Sequence, residues 1–312
     1  MKTRIKIFLT GWVLAMGCSL GLTIPGAVAE ETKPAQWIQV SPVSQKLDLK
    51  PGERQTASIK VTNVGGEKFS FKVYASPYFL TDMTAEPVFE TDSQFTKLAS
   101  WVGFDQAEYI DLAPGAPAVE VPYYVDVPAD VAGGGQYAVI FAEILDNNTQ
   151  PASGSSIKTV SRVGSIIYAH LPGDVKFEGE LVSFEQAKFV PEQPMKSSAV
   201  VKNTGNVDFS IQYNYTVNSI FGKELFKDEQ SRMILPGISM QLGMEWDGPM
   251  FGIFKVTNNI SFLGAAHVNE TQLIFVSPLW LTVLLCILIV VILATATLLI
   301  VRAVKRRRGR RL

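Results

Sequence analysis

The chain has 312 residues, 47% of them hydrophobic, with 28 Lys and Arg, 29 Asp and Glu, and two cysteines, Cys18 and Cys286. Three cations precede residue 7 and seven follow residue 301, so residues 30–276 hold 18 cations against all 29 acids, a net charge of about −11. A field of that sign disfavours nucleic acid and other polyanions as partners, and without a cysteine pair the region must stand on its hydrophobic core.

In chain order, Lys2, Arg4 and Lys6 precede an apolar stretch from Ile7 to Leu22 that closes with Ala27-Val28-Ala29. Small residues at that spacing suit a signal peptidase, so residues 1–29 read as a signal peptide cleaved after Ala29. Gly17-Cys18 offers a lipoprotein alternative, but Ala15 and Met16 fit that box poorly. An uncleaved helix would be interrupted by Pro25-Gly26 before it reached membrane length.

From residue 37 to 276 the pattern is that of strands. Apolar residues take every second position in Ala57–Asn63, in Phe69–Val73 and from Val119 to Val127, a period that buries one sheet face. Gln136–Leu145 is almost continuously apolar, as expected of a more completely covered central strand. No long window between the termini carries a 3.6-residue period, so helices are expected to be short and few.

The stretch Val61–Ser70 returns as Val201–Ser210 at an offset of 140. Leu112–Gly115 then answers Leu235–Gly237, and Val127-Pro128 answers Gly248-Pro249, with offsets falling to about 120. The first copy therefore carries about 20 extra residues, best placed in the irregular stretch Ser76–Asp105. Closely spaced turn signals in each copy predict an all-β fold of two tandem immunoglobulin-like β-sandwich domains, residues 35–148 and 159–276. Residues 149–158 read as a linker or a hairpin tip, and a tip would assign Val163–Leu171 to the first domain.

Leu279–Val301 is an uncharged run of 23 residues, about 34 Å of helix, enough to cross a hydrocarbon core of about 30 Å. It predicts a transmembrane helix, residues 279–301, followed by a basic cytoplasmic tail, 302–312. Trp280 marks the outer interface, and Arg302, Lys305, Arg306, Arg307 and Arg308 the inner one. The expected topology is single-pass, with the N-terminal region extracytoplasmic, at the cell surface or in a periplasm. Membrane lipid is an expected partner of the helix and of the tail cations. No L-P-x-T-G motif precedes the run, which argues against sortase processing. With only Ser277-Pro278 before the helix, the second domain is expected to sit on the bilayer.

Reactive constellations are scarce. His170 and His267 lie far apart in sequence and read as strand-end or turn residues. There is no H-E-x-x-H, G-x-S-x-G or phosphate-cradling loop, and Gly133-Gly134-Gly135 reads as a hairpin turn. Asp126 with Asp130, and Asp146 with Asn147 and Asn148, lack the spacing of a calcium loop. No catalytic residue, metal or cofactor is expected. Among Trp101, Tyr109, Tyr123, Tyr124 and Trp246, Tyr123 shares the parity of Val121 and Val125 and belongs to the core. Tyr124 has the opposite parity and Trp101 lies in the extra segment, so these two are the ligand-binding candidates.

Several motifs carry a family resemblance: Ile38-Gln39-Val40-Ser41-Pro42, the turn Leu49-Lys50-Pro51-Gly52-Glu53-Arg54-Gln55-Thr56, the strand ending Val61-Thr62-Asn63, Leu112–Gly115 and Val127–Gly135. With the overall layout, they resemble the WxL-interacting proteins of Gram-positive bacteria over most of 36–145. The chain departs from that pattern after Ala75, where Ser76-Pro77-Tyr78-Phe79-Leu80 replaces a polar turn. The resemblance implies that the first domain binds peptidoglycan of the bacterial cell wall and the second a protein partner; it carries over no binding residue.

The expectation is a non-enzymatic, membrane-anchored cell-envelope binding or adhesion protein whose partners are peptidoglycan, surface proteins or both. Two alternatives stand beside it. One is a chaperone-like assembly factor that pairs strands with surface proteins; the other is a carbohydrate-active enzyme using a carboxylate pair.

Overall fold

The computed structural model describes residues 35–145 and 161–308. The signal segment with Ala29, residues 149–158 and the end of the tail lie outside the described residues. The first part comprises β1 (Ile38–Ser41), β2 (Ser44–Asp48), β3 (Arg54–Asn63), β4 (Phe69–Pro77), β5 (Phe79–Leu80), β6 (Pro87–Val88), α1 (Leu98–Trp101), β7 (Val102–Gly103), β8 (Glu108–Leu112), β9 (Val119–Asp126), β10 (Gly134–Leu145) and β11 (Arg162–Leu171). The second comprises β12 (Gly179–Gln186), β13 (Phe189–Val190), β14 (Met195–Asn203), β15 (Phe209–Ser219), β16 (Glu224–Ile234), β17 (Ser239–Trp246), β18 (Gly252–Phe262) and β19 (Ala265–Val276), followed by α2 (Leu279–Arg308).

Both parts are immunoglobulin-like β-sandwiches of the same strand order. The first packs β1-β3-β9-β7 on β2-β11-β10-β4-β8, and the second packs β12-β14-β17 on β13-β19-β18-β15-β16. In each, a short strand pairs parallel with the last strand of the sandwich, β2 with β11 and β13 with β19. The period-two residues do what their parity requires: Ile59, Val61, Val121, Tyr123 and Val125 from one sheet meet Phe69, Phe71, Val73, Ile140 and Ile167 from the other.

The pairing of β11 decides between the two assignments of Val163–Leu171 that the sequence left open. β11 pairs antiparallel with β10 from Gly134↔Leu171 to Glu143↔Arg162, so it completes the first sandwich. A ladder of that length would otherwise leave β10 with an open edge in the middle of the core. The two sandwiches therefore meet between Leu171 and Gly179, with Val163–Leu171 in the first, as the hairpin-tip alternative has it.

The repeat at offset 140 is a buried asparagine staple. Asn63 Nδ2 donates to the carbonyls of Glu67 and Leu112 at 2.8 and 2.9 Å, and its Oδ1 accepts from the Gly65 amide at 2.9 Å. Asn203 does the same with Val207, Ile234 and Gly205, at 2.8, 3.2 and 2.9 Å. One amide side chain thus satisfies three backbone groups that the turn would leave buried and unpaired. A Cβ on Gly205 would lie 2.1 Å from the Lys176 carbonyl oxygen, and one on Gly65 2.5 Å from the Trp37 amide nitrogen, because the preceding chain crosses directly over each turn.

The extra residues of the first copy cover its five-stranded sheet. Tyr78 and Phe89 pack on Tyr168 and Phe141, with Phe89 edge-on to Phe141 at 5.0 Å. Gln136 clasps the segment by donating to the Gln94 carbonyl at 2.6 Å and accepting from the Lys97 amide at 3.1 Å. This cover is why β10 is buried on both faces. Its outer residues Tyr137, Val139 and Phe141 join one apolar cluster with the core of the second sandwich.

After β19, Ser277-Pro278 leads directly into α2, of which Leu279–Arg302 is apolar all round and long enough to cross a membrane. Its Thr295 and Thr297 hydroxyls bond to the carbonyls of Ile292 and Leu293 one turn back. Trp280 and Arg302, the expected interface residues, are exposed at its two ends, and the helix continues through Lys305–Arg308.

Candidate functional site

The two sandwiches are joined by a polar plug. The turn between β14 and β15, where the second copy of the repeat carries Asn206-Val207-Asp208, inserts against the start of β10 and the end of β11. The Gly135 amide donates to the Asn206 carbonyl at 2.8 Å, and Asn206 Nδ2 donates to the carbonyls of Asp174 and Gly133 at 2.7 and 3.2 Å. Asp208 Oδ1 accepts from Tyr137 Oη at 2.9 Å and lies 2.8 Å from His170 Nε2.

The Asp208 carboxyl is 1% exposed, and burial alone would raise its pKa; the His170 hydrogen bond and charge outweigh that and hold it below the ordinary value. Hydrogen bonding to Asp208 raises His170 against the opposing effect of burial. The Tyr137 hydroxyl is pushed far up by burial beside that carboxylate.

Gly133-Gly134-Gly135 is therefore a contact between domains, not a hairpin turn. Gly134 has φ +135°, and a Cβ there would lie 2.9 Å from the Asn206 carbonyl oxygen. One on Gly133 would lie 2.7 Å from Gly173 Cα.

A second contact is a strap. The tip of the β5–β6 hairpin reaches the edge of β17: the Met83 amide donates to the Ser239 carbonyl at 2.7 Å, and the Gln241 amide donates to the Met83 carbonyl at 3.1 Å. Asp82 Oδ1 accepts from the Ser239 amide at 2.6 Å. β17 pairs with β14 on its other side without a register break, so alternation also points the backbone groups of Gly243 and Glu245 away from β14; the Gly243 carbonyl accepts from Gln230 Nε2 of β16 at 3.0 Å. Beside them lies a groove of about 580 Å³ between β16 and β17, walled by Leu80, Tyr168, Met233, Met240 and Leu242 among others.

Other long edges carry protection. β16 presents Glu224, Lys227, Asp228, Glu229 and Arg232, and β12 has a bulge between Leu181 and Ser183. β17 offers Glu245, paired with Lys196 at 3.0 Å, and the Gln230 side chain on the Gly243 carbonyl, with open space above Gly243 itself.

The two sequence candidates come to one sheet edge. Trp101 ends α1 and leads into β7, whose Val102 and Gly103 pair with Val125 and Tyr124. Both side chains also have internal partners. Tyr124 lies across Gly103, where a Cβ would meet its ring at 2.4 Å, and the Arg54 guanidinium sits 4.0 Å from the ring centroid. Trp101 is half-buried against the first core. Tyr123 is core, its pKa pushed up to about 12 by burial; Tyr109 stacks on Phe71, and Trp246 is buried against Phe254.

Among the described residues, three carboxyls lie below their ordinary pKa, and each faces a basic side chain. Asp126 is held by Arg54 at 2.5 and 2.6 Å, Glu143 by Lys72 with Tyr74, and Asp208 by His170. Among the described residues no cluster of three His, Cys, Asp or Glu is placed to hold a metal.

Neither a protein-family model nor a curated protein sequence matches the chain. Solved structures similar to it include the class 5 fimbriae chaperone CfaA, at 11% identity over 76% of this chain and 98% of that one, with a TM-score of 0.38. The CsuC–CsuE chaperone–tip adhesion subunit complex of Acinetobacter baumannii is similar at 9% identity over 76% and 98%, TM-score 0.38. The E. coli chaperone DraB follows at 10% over 78% and 98%, TM-score 0.35. At these scores the functional reading rests on the chain's own geometry.

The plug and the strap were not found from sequence. The signal for the plug was the departure of the second repeat from the first at Asn206–Asp208, opposite a run of three glycines. The strap contacts are almost all backbone and left no side-chain signature.

Proposed function

We propose that this chain is a membrane-anchored envelope protein that binds extended segments of surface proteins by adding them to the open edge of β17, in the manner of an assembly factor. The observation that carries this reading is the strap: backbone from elsewhere in the chain already pairs with Ser239 and Gln241, so the edge accepts a strand, and the outward Gly243 amide and Glu245 backbone groups continue it, with the Gln230 side chain on the Gly243 carbonyl to be displaced. Main-chain hydrogen bonds would supply affinity, and the groove beside them, where Gln230 and Arg232 stand with Leu80 and Met233, would take alternate side chains of the client. The plug and strap hold the two sandwiches together, so the groove keeps its shape without a client. On this reading 35–276 lies outside the cytoplasm, with α2 as the anchor.

The test is co-purification of clients with the full chain and with Gly243→Pro. Proline removes the outward amide at an edge position where a strand tolerates it. Clients should be lost from a variant that keeps its thermal transition; clients retained by a folded Gly243→Pro chain would refute the reading.

A second reading gives the first sandwich a cell-wall ligand, favoured by the convergence of Trp101 and Tyr124 on one edge. Sedimentation of the chain with insoluble peptidoglycan, lost on Trp101→Ala and Tyr124→Ala, would support it. Sedimentation that neither substitution alters would remove those residues from it.

A further inference from the structure

The outer face of the β13-β19-β18 sheet changes character along its length. At the end that leads into α2, Ile253, Phe275 and Phe189 lie directly across from one another, and Phe251 and Phe189 each pack on Phe275 with ring centroids 5.8 Å apart. Leu273 continues the same face and is 64% exposed, and Met250, in the turn before β18, is 68% exposed. Farther along, the outward positions become Thr257, Asn259, Thr271 and Asn269. The apolar band thus runs from Phe275 back to Leu273, about 7 Å of strand at ~3.3 Å per residue. That is the depth of the interfacial layer that flanks a hydrocarbon core.

Connectivity puts this band at the bilayer. Only Ser277-Pro278 separates β19 from α2, and a groove of about 600 Å³ is shared by Met250 and Val276 with Leu279 and Trp280 of the helix. The same groove holds Glu192 and Asp247, and Lys255 lies opposite Leu273, so the rim carries both signs. Attraction to anionic headgroups would call for an excess of cations, which is not what borders the band.

We propose that Phe189, Met250, Phe251, Ile253, Leu273 and Trp280 form a foot that inserts into the outer interfacial layer of the bilayer by apolar contact. The foot rests on the reading of α2 as a membrane span. It holds the second sandwich against the lipid surface and leaves the β16–β17 groove at a set height above it.

The test uses the full chain in phosphatidylcholine vesicles. Single cysteines carrying an environment-sensitive fluorophore are placed by Phe251→Cys, Leu273→Cys or Val43→Cys in a Cys18→Ser, Cys286→Ser background. The native Cys286 of the helix is labelled separately in a Cys18→Ser chain. Lipids spin-labelled near the headgroup should quench positions 251 and 273 strongly and position 43 not at all, without added anionic lipid. Quenching of Cys286 by deep-labelled lipid with none at 251 or 273 would overturn the foot and leave the anchor standing. Absence of quenching at Cys286 would bring down both. A label at 251 that is shielded only at high protein density, and never quenched by lipid, would replace the bilayer with a second copy of the chain and overturn the proposal.

Discussion

His170 at the end of the first sandwich and Asp208 in the β14–β15 turn of the second lie 2.8 Å apart, and the Tyr137 hydroxyl donates to the same carboxylate oxygen at 2.9 Å. The pair makes the joint between the sandwiches dependent on pH in a definite direction. His170 is raised above its ordinary value of 6.5, so its contribution is complete below that pH and is lost as pH rises through the folded-state value. Asp208 is lowered below 3.8, so its contribution is present above that pH and is lost as pH falls through its folded-state value. Asp48 and Lys46 of β2 act on His170 in opposite senses and as smaller effects. Denaturant unfolding across a pH series should show greatest stability between those limits. Asp208→Asn should flatten the alkaline limb and cost about 2–3 kcal/mol, since it leaves a protonated His170 without its counter-charge. An unchanged pH profile would remove the pair from the joint.

The two asparagine staples should have similar value. Asn63→Ala and Asn203→Ala each strand three backbone groups, and each is expected to cost about 2–3 kcal/mol by chemical denaturation. Gly205→Ala should be worse, because its Cβ meets a carbonyl oxygen of fixed backbone and not a movable side chain. Equal and small losses at all three positions would show that the turns relax.

The strap can be loosened without touching either core. Asp82→Ala removes one charge-assisted hydrogen bond to the Ser239 amide and should cost about 1–2 kcal/mol. Amide exchange at Ser239 and Gln241 should quicken, while that at Met240, which faces β14, should not. Uniform quickening along β17 would mean that the strap supports the strand itself.

Much of the fold was legible because it is written in local pattern. Parity placed Tyr123 in the core, the repeat announced two like sandwiches, and the apolar run at Leu279–Val301 marked the long helix. The boundary was not legible, because residues 149–158 have the composition of any exposed connection and only the pairing of β10 with β11 decides which side β11 joins. Nor was the role of the extra segment. Tyr78, Phe89 and Phe95 follow no period, since they cover a sheet from connecting segments and not from a strand. The plug was half visible: Asn206 and Asp208 replace Gly66 and Lys68 of the first copy, but a polar residue in a turn reads as solvated until its partners across the joint are known.

Photo-crosslinking from β17 tests the proposed function most directly. A chain carrying a photoreactive residue at Gln241, and another carrying it at Glu229 on the charged edge of β16, would be irradiated in native membranes and the adducts sequenced. The account predicts adducts from position 241 and not from 229, mapping to extended segments of surface proteins with alternating apolar residues and disappearing with Gly243→Pro. Adducts that survive Gly243→Pro, or that arise equally from position 229, would contradict strand addition at β17.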